Sequence, residues 1–188
     1  MPTHLQTIHE NHADNTESEE VGDGRLYKSE GEMYPHVAQW LRHLLTQEFR
    51  KSTVVVEDTS KKVLSRFLVE RGLHELFRDY QTYEIQVDVT GVVHNGKTAG
   101  LAFVECKLDK ISLRDLSQLL GYSRVATPLV SIIISPEGIS DAMNLLFNIH
   151  RRNDILSYGD KGCLRIARWD ENKRDIDMQT LIPKGGLF

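Results

Sequence analysis

The sequence predicts an α/β fold, with a central mixed β-sheet and helices on both sides. Three observations lead there. Leu129-Val130-Ser131-Ile132-Ile133-Ile134 is a near-continuous apolar run closed by Ser135-Pro136, the pattern of a strand buried on both faces. Tyr83–Thr90 alternates polar and apolar residues, and Leu101–Leu108 follows it across an Asn95-Gly96 pair. Such alternation is the period of a half-buried strand, and Asn-Gly is the preferred centre of a two-residue hairpin loop. Helical spacings fall between these runs, so strand, helix, strand implies a right-handed crossover and a partly parallel sheet.

The elements can be taken in order. Residues 1–28 read as an acidic, disordered tail, and residues 29–188 as one domain. The first 23 residues hold six acidic residues and no lysine or arginine, so a net charge of −4 hides a remainder of +2. A slightly basic body is compatible with nucleic-acid binding without demanding it. His4, His9 and His12 lie close together in the tail, where a histidine-bearing leader is the ordinary reading and a metal site the rarer one.

Ser29-Glu30-Gly31-Glu32 has capping-box form and opens a helix carrying Val37, Trp40, Leu41, Leu44 and Leu45, with Pro35 one turn inside. Thr53–Val56 reads as a strand, and Thr59 or Ser60 as the cap of a helix ending near Gly72. Leu73–Tyr80 reads as a short helical piece. Ser112-Leu113-Arg114-Asp115 starts the next helix, Ser140–His150 reads as another, and Cys163–Trp169 as a strand. The sequence does not place the C-terminal tail.

No apolar run reaches the roughly 18–20 residues that span a bilayer, and the N-terminus lacks signal-peptide form. Two cysteines, Cys106 and Cys163, do not make a disulfide framework. The expectation is a soluble cytoplasmic protein without membrane attachment.

The hairpin carries the chemistry. With Asn95-Gly96 as the loop centre, Asp88 faces Phe103 and projects on the side of Glu105 and Lys107, with Glu105 its diagonal neighbour. Ile85, Val87, Val89, Val104 and Cys106 then point to the other side. Gly91, inside the strand, is where a bulge would sit. Two carboxylates on one face suit a hard cation such as Mg²⁺, which prefers oxygen ligands and keeps several waters. A lysine beside them can hold a water or stabilise charge developing on a phosphate. Together they suit metal-assisted phosphodiester hydrolysis. The rival is a solvated face with a cross-strand ion pair. Context separates them: this face leads into an all-apolar strand, where a charge cluster is costly unless functional.

Asp88, then Glu105-Cys106-Lys107 after a hairpin, then a helix and a buried strand, resembles the PD-(D/E)XK, or restriction-endonuclease-like, nuclease superfamily over roughly residues 29–136. Gln118-Leu-Leu-Gly-Tyr122 resembles the Q-x-x-x-Y element of RecB-type nucleases, and Val87 stands where the motif has proline. The resemblance implies a restriction-endonuclease-like core and a Mg²⁺- or Mn²⁺-dependent nuclease cutting DNA by in-line attack of a metal-activated water. It implies that Asp88, Glu105 and the Cys106 backbone carbonyl bind metal and that Lys107 orients or activates the water. Glu32 would be the additional helix acid, with Glu30 the competing choice. Gln118 and Tyr122 would brace the site or contact nucleic acid; the alternative for Tyr122 is packing on the sheet.

Arg114, Arg124, Arg151, Arg152, Lys110 and Lys161 are candidate phosphate contacts, each singly an ordinary surface charge. A homodimer and a protein partner for either tail stay open. The rival from another class is a catalytically silent nucleic-acid-binding or assembly module on the same fold. The sequence contains no zinc-ligand spacing, phosphate-cradling glycine loop or G-x-S-x-G element.

Overall fold

The computed structural model describes residues 25–188. Residues 1–24, with His4, His9 and His12, lie outside the described part. The folded body begins earlier than Ser29: Tyr27 is buried, and its hydroxyl meets His36 Nδ1 at 3.1 Å.

Helix α1 (Glu30–Glu48) is followed by β1 (Thr53–Asp58), α2 (Leu64–Glu70), two 3₁₀ turns (His74–Leu76 and Tyr80–Thr82), β2 (Val89–His94) and β3 (Ala99–Cys106). Next come α3 (Leu113–Ala126), β4 (Val130–Ser135) and α4 (Asp141–Asn144), which runs into a π-helical turn, Leu145–Ile149. A two-residue ladder, β5 (Ser157–Tyr158) with β6 (Gly162–Cys163), precedes β7 (Arg165–Asp170) and β8 (Asp175–Ile182). The main sheet has the order β1-β2-β3-β4-β7-β8. Its centre, β3-β4-β7, is parallel and its flanks are antiparallel, so the protein is an α/β fold built on a mixed sheet.

The sheet separates two apolar cores. Val37, Leu41 and Leu45 of α1 cover Val89, Val104, Ile132 and Trp169 on one face. On the other, Phe67 of α2, Leu119 of α3 and Phe147 of the π turn belong with Val92, Phe103, Ile133 and Ile166. β4 feeds both, which is why all six of its residues are buried and its middle is Ile132-Ile133-Ile134. Among the described residues no helix is long and apolar enough to cross a membrane.

Several expectations change. Tyr83–Asp88 is not a strand, although its alternation is real: Tyr83, Ile85 and Val87 are buried while Glu84 and Gln86 are exposed. The segment packs on α2, and the carbonyls of Ile85 and Tyr83 accept from Leu64 N–H (2.7 Å) and Ser65 N–H (3.2 Å). They thereby satisfy amides at the helix start that have no intrahelical partner. Ile85 and Val87 consequently join the core opposite to that of Val89, Val104 and Cys106. α2 starts at Leu64 rather than after Thr59, because Thr59 is occupied elsewhere. The box at Ser29 does not close: Ser29 is the N-cap but makes no side-chain cap bond, and Glu32 instead accepts from Lys28 N–H at 2.8 Å. The box at Ser112 and Asp115 forms with both reciprocal bonds. The unplaced tail supplies β8, whose two buried residues, Ile176 and Leu181, fall out of step across a register shift.

Gly91 does not mark a bulge; it pairs regularly with Val56 and Ala102. Glycine is required there by a close approach: a Cβ would lie 2.7 Å from Leu45 Cδ1 and 3.3 Å from Leu41 Cδ2. Gly91→Val should therefore destabilise the fold by ~1–3 kcal/mol through overpacking, read as a lowered urea midpoint with an unchanged slope.

Candidate functional site

The hairpin register differs from the sequence expectation by two residues. His94 pairs with Ala99 and Val89 with Val104, so the apex is Gly96-Lys97, with Gly96 carrying the positive φ of 83°. Asn95 supports the loop, its Oδ1 accepting from the amides of Lys97 (3.0 Å) and Thr98 (2.9 Å). Continued past the end of the ladder, this register sets Asp88 opposite Glu105 instead of Phe103. The shift is even, and side chains alternate with a period of two, so Asp88 and Glu105 still share a face.

The ladder ends at Val89–Val104, and Asp88 stands where the strands part. Its Oδ2 accepts from Cys106 N–H at 2.8 Å, taking the place a β2 carbonyl would have held. Its own carbonyl accepts from Thr59 N–H at 2.8 Å. Thr59, buried, bonds Val87 O (2.8 Å) and Thr90 Oγ1 (2.7 Å) through its hydroxyl. Asp88 is thus fixed from both sides, and Tyr34 of α1 lies near enough to its carboxylate for the two groups to shift one another.

Glu105, the penultimate residue of β3, is 7% exposed. Lys107 Nζ lies 3.0 Å from Glu105 Oε1 and 3.6 Å from Glu30 Oε2. Three acids therefore gather around one ammonium at the C-terminal edge of β3. Burial raises Asp88 above the ordinary carboxylate range despite the bond from Cys106 and the nearby Tyr34. Burial and the Asp88 charge together push Glu105 up to about 7, against the pull of Lys107. Burial also raises Glu30, with Lys107 opposing and Asp88 adding to the effect. Burial works to lower Lys107, but Glu105, Glu30 and Asp88 hold its ammonium well above the usual lysine range. The Cys106 thiol is buried on the α1 side of the sheet, and burial pushes it up.

Asp88, Glu105 and Lys107 thus come together as the spacing predicts. The helix acid beside Lys107 is Glu30, whereas Glu32 is exposed and committed to the Lys28 amide. Tyr34 was missed. It stands one turn after Glu30, at i+4, and that spacing on one helix face was the available signal. Gln118 is exposed without a hydrogen-bond partner among the described residues, and Tyr122 is half-buried against the α3-side core. Arg114, Arg124, Arg151 and Lys161 are exposed. Arg152 pairs with Asp154 at 2.9 Å, and Lys110 lies 3.9 Å from Asp141.

The donors facing Lys107 are all oxygens, and three crowded acids against one cation leave uncompensated negative charge, so the chemistry of the set fits a hard divalent ion. Among the described residues, no three His, Cys, Asp or Glu side chains are arranged to hold an ion by themselves. Comparison with protein families, with curated proteins and with solved structures gave no match.

The raised acids have a consequence for stability. In the window between the ordinary Glu105 value of 4.5 and about 7, the folded state binds more protons than the unfolded chain, so stability falls as pH rises. Without divalent cations the protein should be more stable near about pH 5 than about pH 8, by on the order of 2–3 kcal/mol. Urea melts at the two values measure the difference, and Glu105→Gln should remove most of it.

Proposed function

We propose that the protein is a metal-dependent nuclease that hydrolyses phosphodiester bonds in DNA. The supporting observation is the convergence of Asp88, Glu105 and Glu30 on Lys107, at the buried C-terminal end of β3 where such charge is otherwise unfavourable. The resemblance of these residues to the PD-(D/E)XK pattern points the same way. Asp88, Glu105 and the Cys106 carbonyl would hold Mg²⁺ or Mn²⁺, with Glu30 as the additional acid in the role first considered for Glu32. Bound there, the ion would supply Lewis-acid polarisation of a phosphate oxygen and lower the pKa of water.

The chain's own residues account for the remainder. Cys106 N–H orients the Asp88 carboxylate, so its geometry is set before substrate arrives. Lys107, kept protonated by its acidic neighbours, donates hydrogen bonds that orient the attacking water and offset charge building on the phosphate. Water adds to phosphorus in line while the P–O3′ bond breaks, leaving a 5′-phosphate and a 3′-hydroxyl. The free, buried Cys106 thiol accords with an intracellular setting.

Lys107→Met and Asp88→Ala should each lower kcat/KM by about 10²–10⁴-fold with the fold retained, assayed with Mg²⁺ on single-stranded, duplex and branched DNA. Wild-type rates in either variant would sink the assignment. In the same assay Glu30→Gln should slow cleavage while Glu32→Gln should not.

The direct Lys107–Glu105 and Lys107–Glu30 contacts also support a second reading, in which the triad is structural and the protein is a silent nucleic-acid-binding module. Calorimetric titration with Mn²⁺ separates the two. Binding that disappears in Asp88→Ala favours the nuclease, and no heat in the wild type favours the silent module.

A further inference from the structure

Away from the acidic edge, the solvent-facing side of α1 and the turn joining β7 to β8 enclose a groove of about 570 Å³. It is lined by His36, Trp40, Arg42 and His43 from the helix and by Lys173 and Arg174 from the turn, with Asp175 the acid on its wall. Three cations stand against Asp175 on its lining, and Asp170, Glu171 and Asp177 of the same hairpin lie beside it.

The groove's cations differ in how committed they are. Arg42 is exposed and contributes to the wall, but its guanidinium is given to Val56 O of β1 at 2.7 Å, at the edge of the sheet opposite β8. Lys173 meets Asp170 at 3.0 Å in an exposed pair, a contact of the kind that readily gives way to another anion. Arg174 has no ion-pair partner among the described residues, and the turn holds it in a left-handed conformation, φ 53°. It lies close enough to His36 for its charge to add to the effect of burial in lowering that imidazole.

Trp40 supplies the other half of the recognition chemistry. It is half-buried, standing edge-on to Trp169 with ring centroids 5.9 Å apart and planes at 82°. The buried Trp169 holds it in place while part of its ring borders the groove. Cations that follow a phosphate chain, combined with a fixed aromatic surface, are what sequence-tolerant binding of single strands requires.

We propose that this groove binds single-stranded DNA, with Arg174, Lys173 and His43 on the phosphates and Trp40 against a base. The site is separate from the acidic edge at Lys107 and needs neither metal nor cleavage, so it goes beyond the nuclease reading. Both sites draw on α1, which supplies Glu30 and Tyr34 to one and His36, Trp40 and His43 to the other.

The test is fluorescence anisotropy of a labelled single-stranded DNA oligonucleotide with the full chain in EDTA, over a range of salt concentrations. The strand should exceed the roughly 4–16 nucleotides that a single binding fold covers. K173Q/R174N removes two cations from an exposed turn, and asparagine tolerates the left-handed backbone at position 174. The double variant should bind about tenfold more weakly or worse, and its log–log salt slope should fall by about 1.4, two phosphate contacts on a single strand. W40L should weaken binding without changing that slope. A K173Q/R174N protein with wild-type affinity and slope, or no binding by the wild type, overturns the proposal. So does a strong preference for duplex DNA or for an RNA of the same sequence. Because the assay contains no metal, failure of cleavage elsewhere does not bear on it.

Discussion

The hydrogen bond from Cys106 N–H to Asp88 Oδ2 is the contact on which the acidic edge depends. Where two antiparallel strands separate, the last amides lose their carbonyl partners, and a buried one must find another acceptor. Here a carboxylate meets that need, which draws a charge into a place water hardly reaches. The consequences follow by electrostatics. A buried Asp88 repels a buried Glu105, Lys107 is drawn between Glu105 and Glu30, and Tyr34 stands near Asp88 from the helix above. One backbone requirement therefore assembles side chains from α1, the segment before β2, and β3 with the residue just after it.

That assembly is poised rather than relaxed. Asp88, Glu105 and Glu30 all lie above their ordinary values and the lysine above its own, so each acid is held in a place where its charge is poorly compensated. Clusters of perturbed groups of this kind are typical of functional sites, though ion-pair networks also produce them. The basic groove on the far side of α1 has the opposite sign and a different character, being open, exposed and aromatic. A helix that buries one face in the sheet thus separates an acidic edge from a cationic channel.

Much of this was legible in the sequence where one residue type answers to one physical demand. β4 could be read because a strand covered on both faces must be apolar throughout, and the α3 start because Ser112 and Asp115 close their box. That Asp88 and Glu105 share a face survived a wrong choice of loop centre, since moving a register by two residues leaves paired side chains on the same face. Other elements were hidden because the deciding partner is remote in sequence. Thr59 has the form of a helix cap but is claimed by Val87 and Thr90. Tyr83–Val87 alternates like a strand because it packs on α2. Choosing Glu30 over Glu32 required knowing that the Lys28 amide takes the latter. β8 carries two buried residues in eight positions, too few to announce a strand beside a bulge.

Gly91 gives the packing of α1 a meaning beyond stability. The helix rests on the bare backbone of β2 there, with Leu41 and Leu45 filling the space a side chain would need. The same helix carries Glu30 and Tyr34 at its other end, so its seating height at Gly91 is also the reference level for the acids around Lys107. A methyl group added deep in the core would act like a shim under one end of a beam. The displacement would be felt three to four turns away, where fractions of an ångström decide how Glu30 meets Lys107.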